Sequence, residues 1–174
     1  MDLKFMKAAI NQAKIAQKKD EVPIGAVIVV DGKVIARAHN LMEKTQLATA
    51  HAEILAINKA CKKLKSWRLD NAELYVTIEP CAMCAGAIAN ARIKKVYFGA
   101  FETKSGAAVS KFNVLSNSGL NHTVEFEPTT TSTVPNIKEV KTETSIPGTK
   151  KHRSNTIINT GRTDFSDSFS FSLI

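Results

Sequence analysis

Residues 74–84 read Leu74-Tyr75-Val76-Thr77-Ile78-Glu79-Pro80-Cys81-Ala82-Met83-Cys84. A mostly apolar, β-branched run stops at Glu79-Pro80, and an alanine-rich run follows as far as Asn90. A continuous apolar run of this length suits a strand buried on both faces. Proline suits a helix start, because its missing N–H has no intrahelical partner to lose there. The stretch therefore reads as a strand, Leu74 to Ile78, feeding a helix, Cys81 to Asn90. Strand followed by helix is the repeating unit of layered α/β folds.

Outward from this unit the pattern repeats. Lys95 to Gly99 reads as a further strand, parallel to the first because a helix crosses between them. Upstream, Leu3, Met6, Ile10, Ala13 and Ala16 share a helical stripe, and Lys18-Lys19 complement that helix's C-terminus. Ile24 to Val30 and Lys33 to Ala38 flank Asp31-Gly32, a strong hairpin signal because both central turn positions need positive φ. From His51, the residues Ile54, Leu55, Ile57, Ala60 and Leu64 predict a second helix. The expected fold is α/β, with helices layered on a central sheet.

Composition bounds the rest. The 174 residues leave room for one domain, with 44% apolar and 23% charged residues, as in ordinary globular chains. No apolar run approaches the roughly 18 residues that span a bilayer, and Met1-Asp2-Leu3-Lys4 does not open like an export signal. Three cysteines suit a reducing cytoplasm and free thiolates better than a disulfide framework. The charge is +8. That balance fits either a polyanionic partner or plain solubility.

Residues 1–127 carry 18 basic and 12 acidic side chains, so most of the positive charge belongs to them. Residues 128–174 contain 17 Ser or Thr and no sustained period, which predicts a disordered tail beyond a single domain at 1–127.

The chemistry gathers at two helix starts. His51-Ala52-Glu53 opens one helix and Pro80-Cys81-Ala82-Met83-Cys84 another. Helix N-termini favour thiolates, and two cysteines three apart on a first turn can face one ion. Imidazole with two thiolates suits Zn²⁺ and disfavours Mg²⁺ or Ca²⁺. Cys61 lies ten residues beyond His51, about 15 Å along the helix, and cannot serve as a fourth ligand. Three ligands leave an open position, as catalytic zinc requires. Glu53 beside that position can relay a proton. Taken singly, a Cys-x-x-Cys is as readily redox or structural, and a His-x-Glu is often only a helix cap. Together they point to a catalytic zinc site.

His51-Ala52-Glu53 with Pro80-Cys81-Ala82-Met83-Cys84 resembles the signature of zinc-dependent nucleobase deaminases. Glu21-Val22-Pro23-Ile24-Gly25-Ala26-Val27, Thr49 to Ile54, Leu74 to Cys81, Phe98-Gly99-Ala100 and Lys104 to Ala108 resemble bacterial tRNA-specific adenosine deaminases. The likeness runs from about Phe5 to Glu127. It implies a three-layer α/β/α cytidine-deaminase-like fold with a central mixed sheet, one Zn²⁺ per chain, and a homodimer. It further implies inosine formation at the wobble adenosine of a tRNA anticodon stem-loop, with Glu53 shuttling protons. Asn40 matches the family asparagine that binds the flipped base, although a turn asparagine is an equal reading. Glu102 and Lys104 match positions touching RNA backbone, or are solvated loop charges. His39, His122 and His152 have no metal-ligand partner at suitable spacing. The likeness fails after Glu127, where the family's basic C-terminal helix is replaced by Pro128-Thr129-Thr130. Either the tail is divergent or the reading frame shifts there.

Three rivals remain at the level of sequence: a deaminase of a free base or nucleoside (cytosine, cytidine or guanine), a non-catalytic zinc-stabilised binding module, and a redox protein using Cys81 and Cys84.

Overall fold

The computed structural model describes residues 1–116, 119–120 and 122–129. The expected tail, from residue 130 onward, and His152 lie outside the described residues. Helix α1 spans Leu3–Gln17, and Asp2 caps it by accepting the Lys4 N–H at 3.0 Å. Strands β1 (Gly25–Val30) and β2 (Lys33–His39) form the expected hairpin, with Asp31 at φ 48° and Gly32 at φ 70°. A short helix α2 (Met42–Thr45) and the longer α3 (Ala52–Leu64) follow. Next come β3 (Glu73–Ile78), α4 (Ala82–Asn90), β4 (Lys95–Ala100) and β5 (Glu125–Pro128). No helix among the described residues is long and apolar enough to cross a membrane.

The five strands form one sheet in the order β2-β1-β3-β4-β5. The β1 pairings are antiparallel, whereas β3–β4 and β4–β5 are parallel, so the sheet is mixed. Side-chain alternation gives each face its own core. Val27, Val29, Tyr75 and Tyr97 meet Phe5, Met6 and Ala9 of α1. Ala26, Ile28, Leu74, Val76, Val96 and Phe98 point the other way, onto Ala52, Ala56 and Ala60 of α3 and Ala85 and Ile88 of α4. Three layers result, as expected for this α/β architecture. Burying one large apolar side chain such as Phe98 or Ile88 contributes about 1.5–3 kcal/mol.

The α1 stripe needs correcting. Its buried residues are Phe5, Met6, Ala9, Ala13 and Ala16, whereas Leu3 is 38% exposed. The cause is close approach: a Cβ at Gly25 would run into the Ala9 carbonyl and the Ala13 N–H. Small residues let the helix lie that near the strand. Leu64, expected on the α3 stripe, ends that helix and is exposed.

At one edge of the sheet, α3 leans over β2. Lys59 Nζ donates to the Arg37 carbonyl at 2.9 Å and Lys63 Nζ to the Ile35 carbonyl at 3.4 Å. At the other edge, Pro128 pairs with Phe98, and the Thr129 N–H donates to the Phe98 carbonyl at 2.7 Å. The composition change at residue 128 thus falls inside β5.

Candidate metal centre and active site

Two helices begin at the same place. His51 is the N-cap of α3 and Cys81 the N-cap of α4, both with extended backbone. Cys84 lies one turn into α4 and is fully buried. His51 Nδ1 lies 3.8 Å from Cys81 Sγ and 3.6 Å from Cys84 Sγ. The three ligand atoms all lie within 4.8 Å of one another, the one such group among the described residues.

The spacing fits a specific ion. Zinc bonds of about 2.3 Å to sulfur and about 2.0–2.1 Å to nitrogen, at tetrahedral angles, separate N and S by about 3.6 Å. Cys61 is elsewhere, its thiol directed at the Trp67 carbonyl. The donor set is therefore a three-ligand one, soft enough for zinc and too soft for magnesium.

The two thiols are shifted in opposite directions. The Cys84 thiol hydrogen-bonds Cys81, and with His51 nearby this holds Cys81 down at about 4 despite burial. The same hydrogen bond, with burial, pushes Cys84 upward. His51 is raised, chiefly by its hydrogen bond to Cys81.

Two further expected residues, Glu53 and Asn40, are buried. Glu53 is 2% exposed and its Oε2 has no hydrogen-bond partner among the described residues. Burial pushes its carboxyl upward. Asn40 is 1% exposed, and neither atom of its amide has a partner among the described residues. Buried polar groups are nearly always satisfied, so such orphans call for partners that the described residues do not supply. The Leu41 N–H donates to the Ala50 carbonyl at 3.0 Å, which ties the residue after Asn40 to the residue before His51.

The family model for MafB19-like deaminases matches residues 1–141. The chain belongs to that deaminase family. The tRNA-specific adenosine deaminase of Bacillus subtilis (strain 168) is 54% identical over 121 residues, covering 70% of this chain and 75% of that protein. The tRNA-specific adenosine deaminase of Aquifex aeolicus (strain VF5) is 50% identical over 123 residues, covering 71% and 82%. A structure solved in a study of A-to-I editing by tRNA:A34 deaminases superposes with a TM-score of 0.71 at 46% identity. It covers 73% of this chain and 98% of its own. Guanine deaminase from Bacillus subtilis gives 0.57 at 37% identity, covering 75% and 87%.

Other expected residues of the deaminase take quieter places. The Glu102 carboxylate accepts the Lys104 N–H at 2.8 Å, shaping its own loop, and Lys104 is exposed. His39 meets Lys19 and Gln12, and His122 Nε2 meets the Ile93 carbonyl at 2.9 Å. Sequence reasoning passed over two buried carboxylates. Glu21 accepts the N–H groups of Glu43 and Lys44 at the start of α2. Glu79, 1% exposed, accepts from the loop after β4. For Glu79 the available signal was an acidic residue at the end of a buried apolar run.

Proposed function

We propose that this deaminase hydrolyses adenosine to inosine at the wobble position of a tRNA. His51, Cys81 and Cys84 would hold one Zn²⁺ per chain. Zinc, when bound, supplies the Lewis acidity that makes water a usable nucleophile near neutral pH. Glu53 is the proton carrier: its Oε2, without a partner among the described residues, takes one proton from the attacking water and gives it to a purine ring nitrogen, then takes the second from the added hydroxyl and gives it to the amine that leaves as ammonia. Water adds, ammonia leaves, and no oxidant is needed. Asn40 orients the base, its unpartnered amide offering one donor and one acceptor to a purine edge. Burial of both groups excludes bulk water, which strengthens these contacts.

The observation that carries this reading is the unpartnered buried Glu53 beside a three-ligand group. A structural zinc site or a redox pair has no use for it. Identity favours RNA over a free base, being 54% and 50% to tRNA deaminases and 37% to a guanine deaminase. A tRNA substrate places the working enzyme in the cytoplasm. A homodimer goes with the same reading, because Leu47 and Met83 are exposed on segments flanking the site.

The deciding experiment compares ammonia release from an anticodon stem-loop RNA with release from free adenosine, cytidine and guanine, with metal measured on the same sample. RNA should be preferred, and its binding should weaken steeply with salt. Preference for guanine, or a flat salt profile, would replace this reading with the small-molecule one.

A further inference from the structure

One buried carboxylate outside the catalytic set is fully engaged. Glu79 Oε1 accepts the N–H groups of Ala108, Val109 and Ser110 at 3.0, 2.7 and 2.9 Å. Its Oε2 accepts the Glu102 N–H at 3.1 Å and the Ser110 hydroxyl. Burial alone would raise this carboxyl, but hydrogen bonds from Ser110, Val109 and Glu102 outweigh it and hold the group below its ordinary value. None of its capacity is left for a metal or a substrate.

The backbone reinforces the same connection. The Glu79 N–H donates to the Ala100 carbonyl at 2.8 Å, and the Ala107 N–H to the Pro80 carbonyl at 2.8 Å. Cys81 and Gly106 form an antiparallel bridge. A Cβ at Gly106 would strike the Glu102 carbonyl and the Glu79 carboxylate, so the loop is folded directly onto this side chain. That loop carries exposed Phe101, Lys104, Val109, Lys111 and Phe112, a mix of cations and apolar rings. Such a mix suits phosphates and unstacked bases.

We propose that Glu79 is a positioning residue for polynucleotide recognition: its carboxylate gathers residues 102–110 into a wall fixed to the Cys81 helix start. The proposal rests on the RNA reading above. The two oxygens make it separable. Glu79→Gln keeps an acceptor for residues 108–110 and turns an amide NH₂ toward Glu102. Glu79→Ala releases all four backbone donors.

The test uses full-length, metal-replete chains: wild type, Glu79→Gln and Glu79→Ala. Amide hydrogen exchange, metal content, and KM and kcat on the stem-loop RNA are measured together. Exchange at Glu102 should quicken about tenfold in both variants, and at residues 108–110 only in Glu79→Ala. KM should rise about threefold in Glu79→Gln and about tenfold in Glu79→Ala, with kcat and metal content nearly unchanged. Unchanged exchange and KM would overturn the proposal, as would losses tracking lost metal. Failure of the wild type to deaminate RNA would instead sink the functional reading, and the exchange pattern would still decide whether Glu79 fixes the wall.

Discussion

The Glu21 carboxylate, on the connection between α1 and β1, accepts the Lys44 N–H at 2.9 Å. Its other oxygen accepts the Glu43 N–H at 3.2 Å, so the helix just after Asn40 is pinned by the segment leading into β1, at the open end of the hairpin. Glu21→Ala removes the acceptor of two backbone donors on exposed residues, each lost bond costing about 0.5–1.5 kcal/mol. Thermal unfolding should report that loss. KM should rise as the Asn40 segment loosens, and Glu21→Gln should recover part of both. An unchanged KM would show that Asn40 is held by other means.

Glu53→Gln preserves shape and burial but cannot carry the proton. Turnover should fall by at least about a hundredfold, while metal content and melting temperature stay near wild type. Near-normal turnover in a metal-loaded sample would remove Glu53 from its assigned role.

Cys81→Ala or Cys84→Ala should lose the metal and, with it, part of the stability, because ligand binding to the native state is linked to folding. Chelation of the wild type should lower its melting temperature in the same direction. Full metal content after either substitution would mean that the ligands are misassigned.

Asn40→Ala separates function from stability. Asn40 makes no side-chain hydrogen bond in the described structure, so its removal sacrifices none in the folded state. Activity should fall roughly tenfold or more through lost contacts to the base, with little change in melting temperature. A marked drop in melting temperature with activity intact would reverse the assignment.

His39 sets a pH dependence away from the metal. Partial burial, then the nearby Lys19 charge, lowers its pKa below the ordinary 6.5. The folded chain therefore binds this proton less readily than the unfolded chain. Stability should fall as pH drops from about 6.5 through the lowered folded value. Denaturant titrations at several pH values should show that slope, and His39→Gln should flatten it.

Much of this was legible in the sequence because the deciding signals were local. Asp31-Gly32 specified its turn, Pro80 its helix start, and the pair Cys81 and Cys84 needed only one helical turn to converge. The missed features are long-range. Strand β5 is four residues with no strong period, and it exists because β4 offers it an edge. Helix α2 buries nothing and is held by a carboxylate more than twenty residues upstream. Glu79 and Glu21 read as ordinary charges until the fold brings backbone donors to them. The α1 stripe differs at Leu3, which is exposed, and at Phe5 and Ala9, which are buried, because the close approach of the helix to β1 fixes which face turns inward.

The lysines over β2 bear on how copies of this chain can associate. An unguarded edge strand is a template for another strand, and sheets that continue from molecule to molecule end in fibres. At β2 the ammonium groups of Lys59 and Lys63 already occupy the Arg37 and Ile35 carbonyls. Four residues of helix rise about as far as two residues of strand, so the two lysines match the spacing of the two acceptors. An incoming strand would have to displace both and bring its own backbone against two positive charges. Growth of the sheet is disfavoured on that side.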